Sequence, residues 1–301
     1  MRRARPLLLI AALAAVGWAS APATAETWTP GVSVAREYAK QRSGVVAFAM
    51  RAPGLATGFR STRRARSASV VKAMLLVAYL NRPDVRKRPL NSDELALLGP
   101  MIRYSDNLAA NRVSAIVGVQ GLARLAGAAK MRAFEPSPVW GVSQITAADQ
   151  ARFFERIDDR VARRHRPYAM RLLRSIIPGQ RWGVGRARPA GWTLYFKGGW
   201  FPGANAVDHQ VALLKRGRRR VALAVLISNS PSSAYANETI RGVTVRLLRG
   251  INRRPKAVAG PAKPRGLPTE VIPAVAGPSS MWSFIPGAAE RERRHLLGLP
   301  W

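Results

Sequence analysis

The sequence predicts a mixed α/β chain of the α+β kind: one antiparallel sheet, helices at its two flanks, and an all-helical lobe between its strands. Three observations predict it. Strand-like segments lie at residues 43–51 and 56–60 and again at 192–200, 208–214 and 221–228. Everything periodic from Ser69 to about Gln180 has helical spacing, and helical spacing also marks 31–42 and 234–248.

Each element has its own signal. Val32, Ala35, Tyr38 and Ala39 recur at helical intervals. Val45, Val46, Phe48 and Met50 form an apolar strand-like run, and the Pro53-Gly54 turn leads into a pairing strand at Ala56–Arg60. Residues Thr62–Arg66 read as a loop leading to Ser69. Asn91, three residues before Glu94, is a capping box, with Leu95, Leu97, Leu98 and Ile102 expected on the buried side of its helix. Val119–Ala129 forms a further helix, Thr146 caps one that carries Phe153 and Phe154 inward, and Tyr168–Ile177 adds another. Trp192–Trp200 alternates, so a strand buries Leu194 and Phe196 and presents Lys197 from its other face. Two more strands joined by the 215–218 turn and a closing helix at 234–248 complete the pattern.

The ends differ in composition. Arg2, Arg3 and Arg5 precede a short apolar run, Leu7–Val16, and Ala23-Thr24-Ala25 is a small-x-small cleavage signal, so residues 1–25 read as an export signal peptide. Residues 26–251 form the folded domain. Residues 252–301 are interrupted by Pro255, Pro261, Pro264, Pro268, Pro273 and Pro278 and read as a disordered, basic Pro/Ala-rich tail. The expectation is an exported monomer, secreted, periplasmic or held at the cell wall.

Composition limits the chemistry. With no cysteine, disulfides, thiol nucleophiles and thiolate metal sites are excluded, and the three histidines lack ligand spacing, so neither metal nor cofactor is expected. A formal net charge of +33 over 301 residues predicts attraction to polyanions. An anionic wall polymer or a membrane surface fits an exported chain; nothing resembles a nucleic-acid-binding module.

One stretch gathers the chemistry. In Ser69-Val70-Val71-Lys72 a hydroxyl and an amine lie one helical turn apart at the head of an apolar segment. The amine can accept the hydroxyl proton, and the helix dipole favours negative charge on the oxygen. A Ser-x-x-Lys match arises by chance about once in a chain of this size, so alone it carries little. Downstream, however, stand Ser105-Asp106-Asn107 at a helix junction and Lys197-Gly198-Gly199 in a strand.

In this order the three motifs resemble the signature of the serine β-lactamase and penicillin-binding superfamily, Ser-x-x-Lys, Ser-Asp-Asn and Lys-[Thr/Ser]-Gly. Tyr104 and Ala109-Ala110-Asn111 belong to the same pattern. The third motif departs from it, with Gly198 where the family has a hydroxyl residue. The resemblance implies the β-lactamase/transpeptidase-like fold and a serine hydrolase without cofactor. It implies Ser69 as nucleophile, Lys72 as base, Ser105 as proton relay to the leaving nitrogen, Lys197 to hold Ser105 and attract a substrate carboxylate, and Asn107 to bind the substrate amide. The oxyanion hole would be the backbone N–H groups of Ser69 and Trp200, beside Gly198 and Gly199. Class A members also carry a loop glutamate that orients the deacylating water. The matching loop, 131–145, is short, and Glu135 is its one carboxylate; it is either that base or a solvated loop residue. Three functions stay open: hydrolysis of β-lactams or a related amide, D-alanyl-D-alanine peptidase action on peptidoglycan stem peptides, and a low-turnover, wall-associated binding protein.

Overall fold

The computed structural model describes residues 28–203 and 205–252. The leader expected at 1–25 and the tail beyond Asn252 lie outside the described residues.

Helix α1 (Val32–Lys40) leads into β1 (Val45–Ala52) and β2 (Leu55–Phe59), a hairpin turned at Pro53-Gly54, where Gly54 has φ +74°. The chain returns to the sheet only in its last third, as β5 (Thr193–Phe201), β6 (Val207–Arg216) and β7 (Arg219–Ser228), and ends in α8 (Ser233–Leu247). The five strands are antiparallel in the order β2-β1-β7-β6-β5. β1, β6 and β7 are buried on both faces, so they read as apolar runs rather than alternating strands. α1 packs against α8, and Trp28 Nε1 donates to Arg249 O at 3.0 Å, joining the two ends of the domain. The other face of the sheet receives α5.

Between β2 and β5 lie short β3 (Arg64–Arg66), α2 (Lys72–Leu80), α3 (Ser92–Arg103), α4 (Asn107–Ala128), short β4 (Gln144–Thr146), α5 (Ala147–Glu155), α6 (Ile157–Arg160) and α7 (Arg166–Arg174). Helix α2 is buried on nearly every side, which explains its lack of a polar face. The capping box forms as expected: Asn91 Oδ1 accepts from Glu94 N, and Glu94 Oε2 accepts from Asn91 N. Thr146 caps α5, with Phe153 and Phe154 fully buried.

Three expectations are corrected. Residues 62–66 are not only a loop, because Arg64–Arg66 pairs antiparallel with Gln144–Thr146. Leu95 is exposed, and α3 buries Met101 beside the expected Leu98 and Ile102. The helix expected at Val119 continues α4 across a kink at Gly118, whose φ of 66° and ψ of 169° only glycine adopts without strain.

Candidate active site

The nucleophile candidate sits in a 3-10 turn, Ala68–Val71, that runs directly into α2. The turn is held from three sides. Ser67 N donates to Ser143 O at 2.8 Å, and Ser67 Oγ lies 3.1 Å from Trp140 O and 3.3 Å from Gly141 O. Behind it, β5 presses against the turn: a Cβ on Gly199 would lie 2.7 Å from both Ser69 N and Val70 N. Only glycine permits that approach, which brings the start of α2 against the strand bearing Lys197. Ala68, with φ +43°, carries backbone strain immediately before Ser69.

Lys72 is wholly buried and points at the second motif. Its Nζ donates to Ser105 O at 2.6 Å and Asn107 Oδ1 at 2.7 Å, and lies 3.4 Å from Ser105 Oγ. Burial lowers its pKa to about 8, partly offset by the nearby Asp106 carboxylate. Lys197 is also fully buried; its Nζ donates to Ser105 Oγ at 3.1 Å and Gly198 O at 2.8 Å. Burial first, and the Lys72 charge second, hold Lys197 well below the ordinary lysine value. Ser105 Oγ thus stands between two buried amines.

The second motif owes its shape to Ser105, which adopts φ +60° between the end of α3 and the start of α4. Asp106 is spent on structure, its carboxylate accepting from Ala109 N as the α4 cap. Gln180 Nε2 donates to Tyr104 O at 2.9 Å and anchors the junction from the opposite side.

The structure therefore brings Ser69, Lys72, Ser105, Asn107, Lys197 and Gly199 into one cluster. Trp200 follows on the same strand, opposite Asp208 of β6. Glu135 is placed elsewhere. Its exposed carboxylate is ion-paired with Arg64, and its backbone bridges to Gln144. Among the described residues it makes no hydrogen bond to Ser69 or Lys72. The loop instead delivers Trp140, whose ring centroid lies 4.7 Å from Lys72 Nζ and whose Nε1 donates to Asn111 Oδ1 at 2.8 Å. A Cβ on Gly198 would make an ordinary contact with the Trp182 ring, at 3.5 Å. Trp182 in turn packs edge-on against Trp200, ring centroids 6.3 Å apart.

Trp140, Trp182, Gln180 and His209 had no sequence signal, since each meets its partner from a distant segment. His209 is fully buried in β6: its Nδ1 accepts from Ile227 N, so Nε2 carries the proton and donates to Arg66 O at 3.0 Å. Burial lowers its pKa to about 4, against the opposing effect of its backbone hydrogen bonds, so it is neutral at pH 7 and steadies the approach to Ser67. Among the described residues no group of three or more His, Asp or Glu side chains is gathered as metal ligands.

Comparison with known proteins identifies the family and the fold. A model described as the beta-lactamase enzyme family matches residues 89–250, more than half of the chain, and the chain belongs to that family. The match covers the Ser105 and Lys197 motifs and begins after Ser69 and Lys72. Solved structures of similar fold include a β-lactamase from Sphaerobacter thermophilus, at 20% identity and TM-score 0.63 over 73% of this chain and 96% of that one. A class A β-lactamase from Mycobacterium abscessus gives 20% and 0.61 over 73% and 99%. A β-lactamase from Xanthomonas campestris gives 17% and 0.61 over 72% and 95%. No curated protein matches the sequence.

Proposed function

We propose that the chain is an exported serine hydrolase that forms an acyl-enzyme on Ser69 with β-lactams or a related amide. The observation that carries this reading is the wholly buried Lys72, one turn from Ser69, with its pKa lowered to about 8. An ordinary lysine is almost entirely protonated at pH 7, whereas this one is neutral about one tenth of the time, enough to serve as a base.

Ser69 Oγ attacks the carbonyl carbon while its proton passes to neutral Lys72. The charge on the carbonyl oxygen is taken up by the backbone N–H groups of Ser69 and Trp200, at the junction that Gly199 makes possible. Collapse of the tetrahedral intermediate breaks the C–N bond. The proton leaves Lys72 through Ser105 Oγ for the departing nitrogen, and Lys197 holds that hydroxyl in place. Asn107, already a partner of Lys72, would bind the substrate amide.

Two features set the expected turnover. Trp140 covers Lys72 on the side of the short loop, and Glu135 is engaged with Arg64, so among the described residues no carboxylate is hydrogen-bonded to Ser69 or Lys72 to activate a deacylating water. Lys72 must take that role too, and release is slow. Gly198 offers no hydroxyl to a substrate carboxylate, and the Trp182 ring borders it, 3.5 Å from where a Cβ would lie, so capture of that carboxylate is weak. The first of these features favours, as a second reading, a D-alanyl-D-alanine peptidase that β-lactams acylate and leave only slowly.

Burst and steady-state rates on a chromogenic cephalosporin test the proposal. A stoichiometric burst followed by slow turnover is expected. Fast turnover without a burst contradicts slow release, and no reaction with β-lactams or activated esters removes the acyl-transfer reading.

A further inference from the structure

Away from the acyl-transfer cluster, at the opposite end of α2, lies a cavity of about 950 Å³. Nine residues of helix separate the two ends, about 13 Å. The cavity wall carries six cations from two distant segments: Arg86 and Lys87 from the turn after α2, and Arg160, Arg163, Arg164 and Arg166 from the turn between α6 and α7.

These segments are fastened together by polar side chains. Asn81 Nδ2 donates to Arg160 O at 2.7 Å, and Asn81 Oδ1 accepts from Ala162 N at 2.8 Å. His165, buried beneath the turn, places Nε2 3.0 Å from Val85 O. The fold therefore holds two basic runs face to face against their mutual repulsion. Asp159 is the single acid on the lining, and it is already shared by Arg156, Arg166 and Arg220. Among the described residues, Arg86, Lys87, Arg163 and Arg164 form no ion pair. Arg160 and Arg166 each keep a buried Nε without a hydrogen-bond partner. Arg86, Lys87, Arg163 and Arg164 are exposed around one concavity, and an anion between them relieves their mutual repulsion.

We propose that this cavity is a binding site for a soluble chain of phosphate or phosphodiester groups. Planar guanidinium groups bind phosphate oxygens in pairs, and cations on opposite walls suit a ligand bearing several phosphates rather than one. The lining offers no large exposed apolar side chain to insert into lipid, which favours a soluble chain over a bilayer. The site is independent of the acyl-transfer reading, and it turns a diffuse positive charge into a specific contact.

The full chain is titrated calorimetrically with tripolyphosphate and with orthophosphate at physiological salt. Saturable binding of tripolyphosphate, at least tenfold tighter than orthophosphate, is expected. Arg163→Gln with Arg164→Gln should weaken it at least tenfold and leave acylation of Ser69 unchanged. Arg36→Gln with Arg218→Gln, removing the same charge at exposed positions elsewhere, should change it less than twofold. A wild-type melting temperature that rises with tripolyphosphate, and does not rise in the Arg163/Arg164 variant, gives a second readout. Equal loss in both double variants reduces the effect to net charge and overturns the site. So does retention on phosphatidylglycerol vesicles in preference to soluble poly(glycerol phosphate), or the absence of saturable binding.

Discussion

Replacing Gly199 with alanine tests the joint between nucleophile and strand. The new Cβ would lie 2.7 Å from Ser69 N and Val70 N and 3.1 Å from Ser67 O, all main-chain atoms. Ordinary carbon contacts begin about 0.7 Å further out, and no side-chain rotation can relieve the overlap. The turn is tied to Ser143 through Ser67 N, so strand and turn must part as units. That separation would pull the Ser69 N–H away from the Trp200 N–H with which it is proposed to form the oxyanion hole. A misplacement approaching 1 Å costs on the order of a hundredfold in rate, so acylation should fall about 10- to 100-fold. Overpacking of this kind should also cost about 1–3 kcal/mol of stability. Gly198→Ala is the contrast: its Cβ meets nothing closer than 3.5 Å, so stability should change by less than about 1 kcal/mol and acylation by a few-fold at most. Stopped-flow acylation and urea denaturation measure both quantities. A Gly199→Ala protein that acylates within twofold of wild type would refute the reasoning.

Other outcomes follow from the same geometry. Acylation should rise with pH through about 8, close to tenfold between pH 7 and pH 9, and Lys72→Arg should abolish it because a guanidinium stays protonated; a pre-steady-state pH profile checks both. Because folding depresses the Lys72 pKa, the unfolded chain holds its proton longer between about pH 8 and 10.5. Wild type should therefore gain stability relative to Lys72→Met across that window, by about 3 kcal/mol in total, measured by urea denaturation. Glu135→Gln should leave acylation and release within twofold of wild type, since it breaks only an exposed pair with Arg64; burst kinetics would reveal a loss of release alone. Gly198→Thr should speed acylation by a carboxylate-bearing β-lactam by up to roughly tenfold, about 1.4 kcal/mol, and more fully when combined with Trp182→Ala, as read from burst rates.

Much of this architecture was legible in the sequence, because local rules and the final fold agree there. The Asn91–Glu94 capping box, the Pro53-Gly54 turn and the alternation at the start of β5 are short-range signals, and the structure contains each of them, although β5 is buried throughout from Phe196 to Gly199. The gathering of Ser69, Lys72, Ser105 and Lys197 was legible through motif order. The surroundings were not. Trp140 reaches Lys72 across 68 positions of sequence, and Trp182 meets Gly198 through a loop with no periodic pattern. Leu95 misled because an apolar residue at helical spacing can still face solvent. Gly199 looked like half of a motif; its reason, a main-chain approach from another segment, exists only in three dimensions.

The most direct measurement is the intact mass of the protein after exposure to a penicillin. The account predicts a single adduct with the mass of the opened β-lactam, retained for many minutes, located on Ser69 by peptide mapping and absent from Ser69→Ala. An adduct of the same mass on Ser69→Ala, or none on wild type at any pH up to 9, would contradict it.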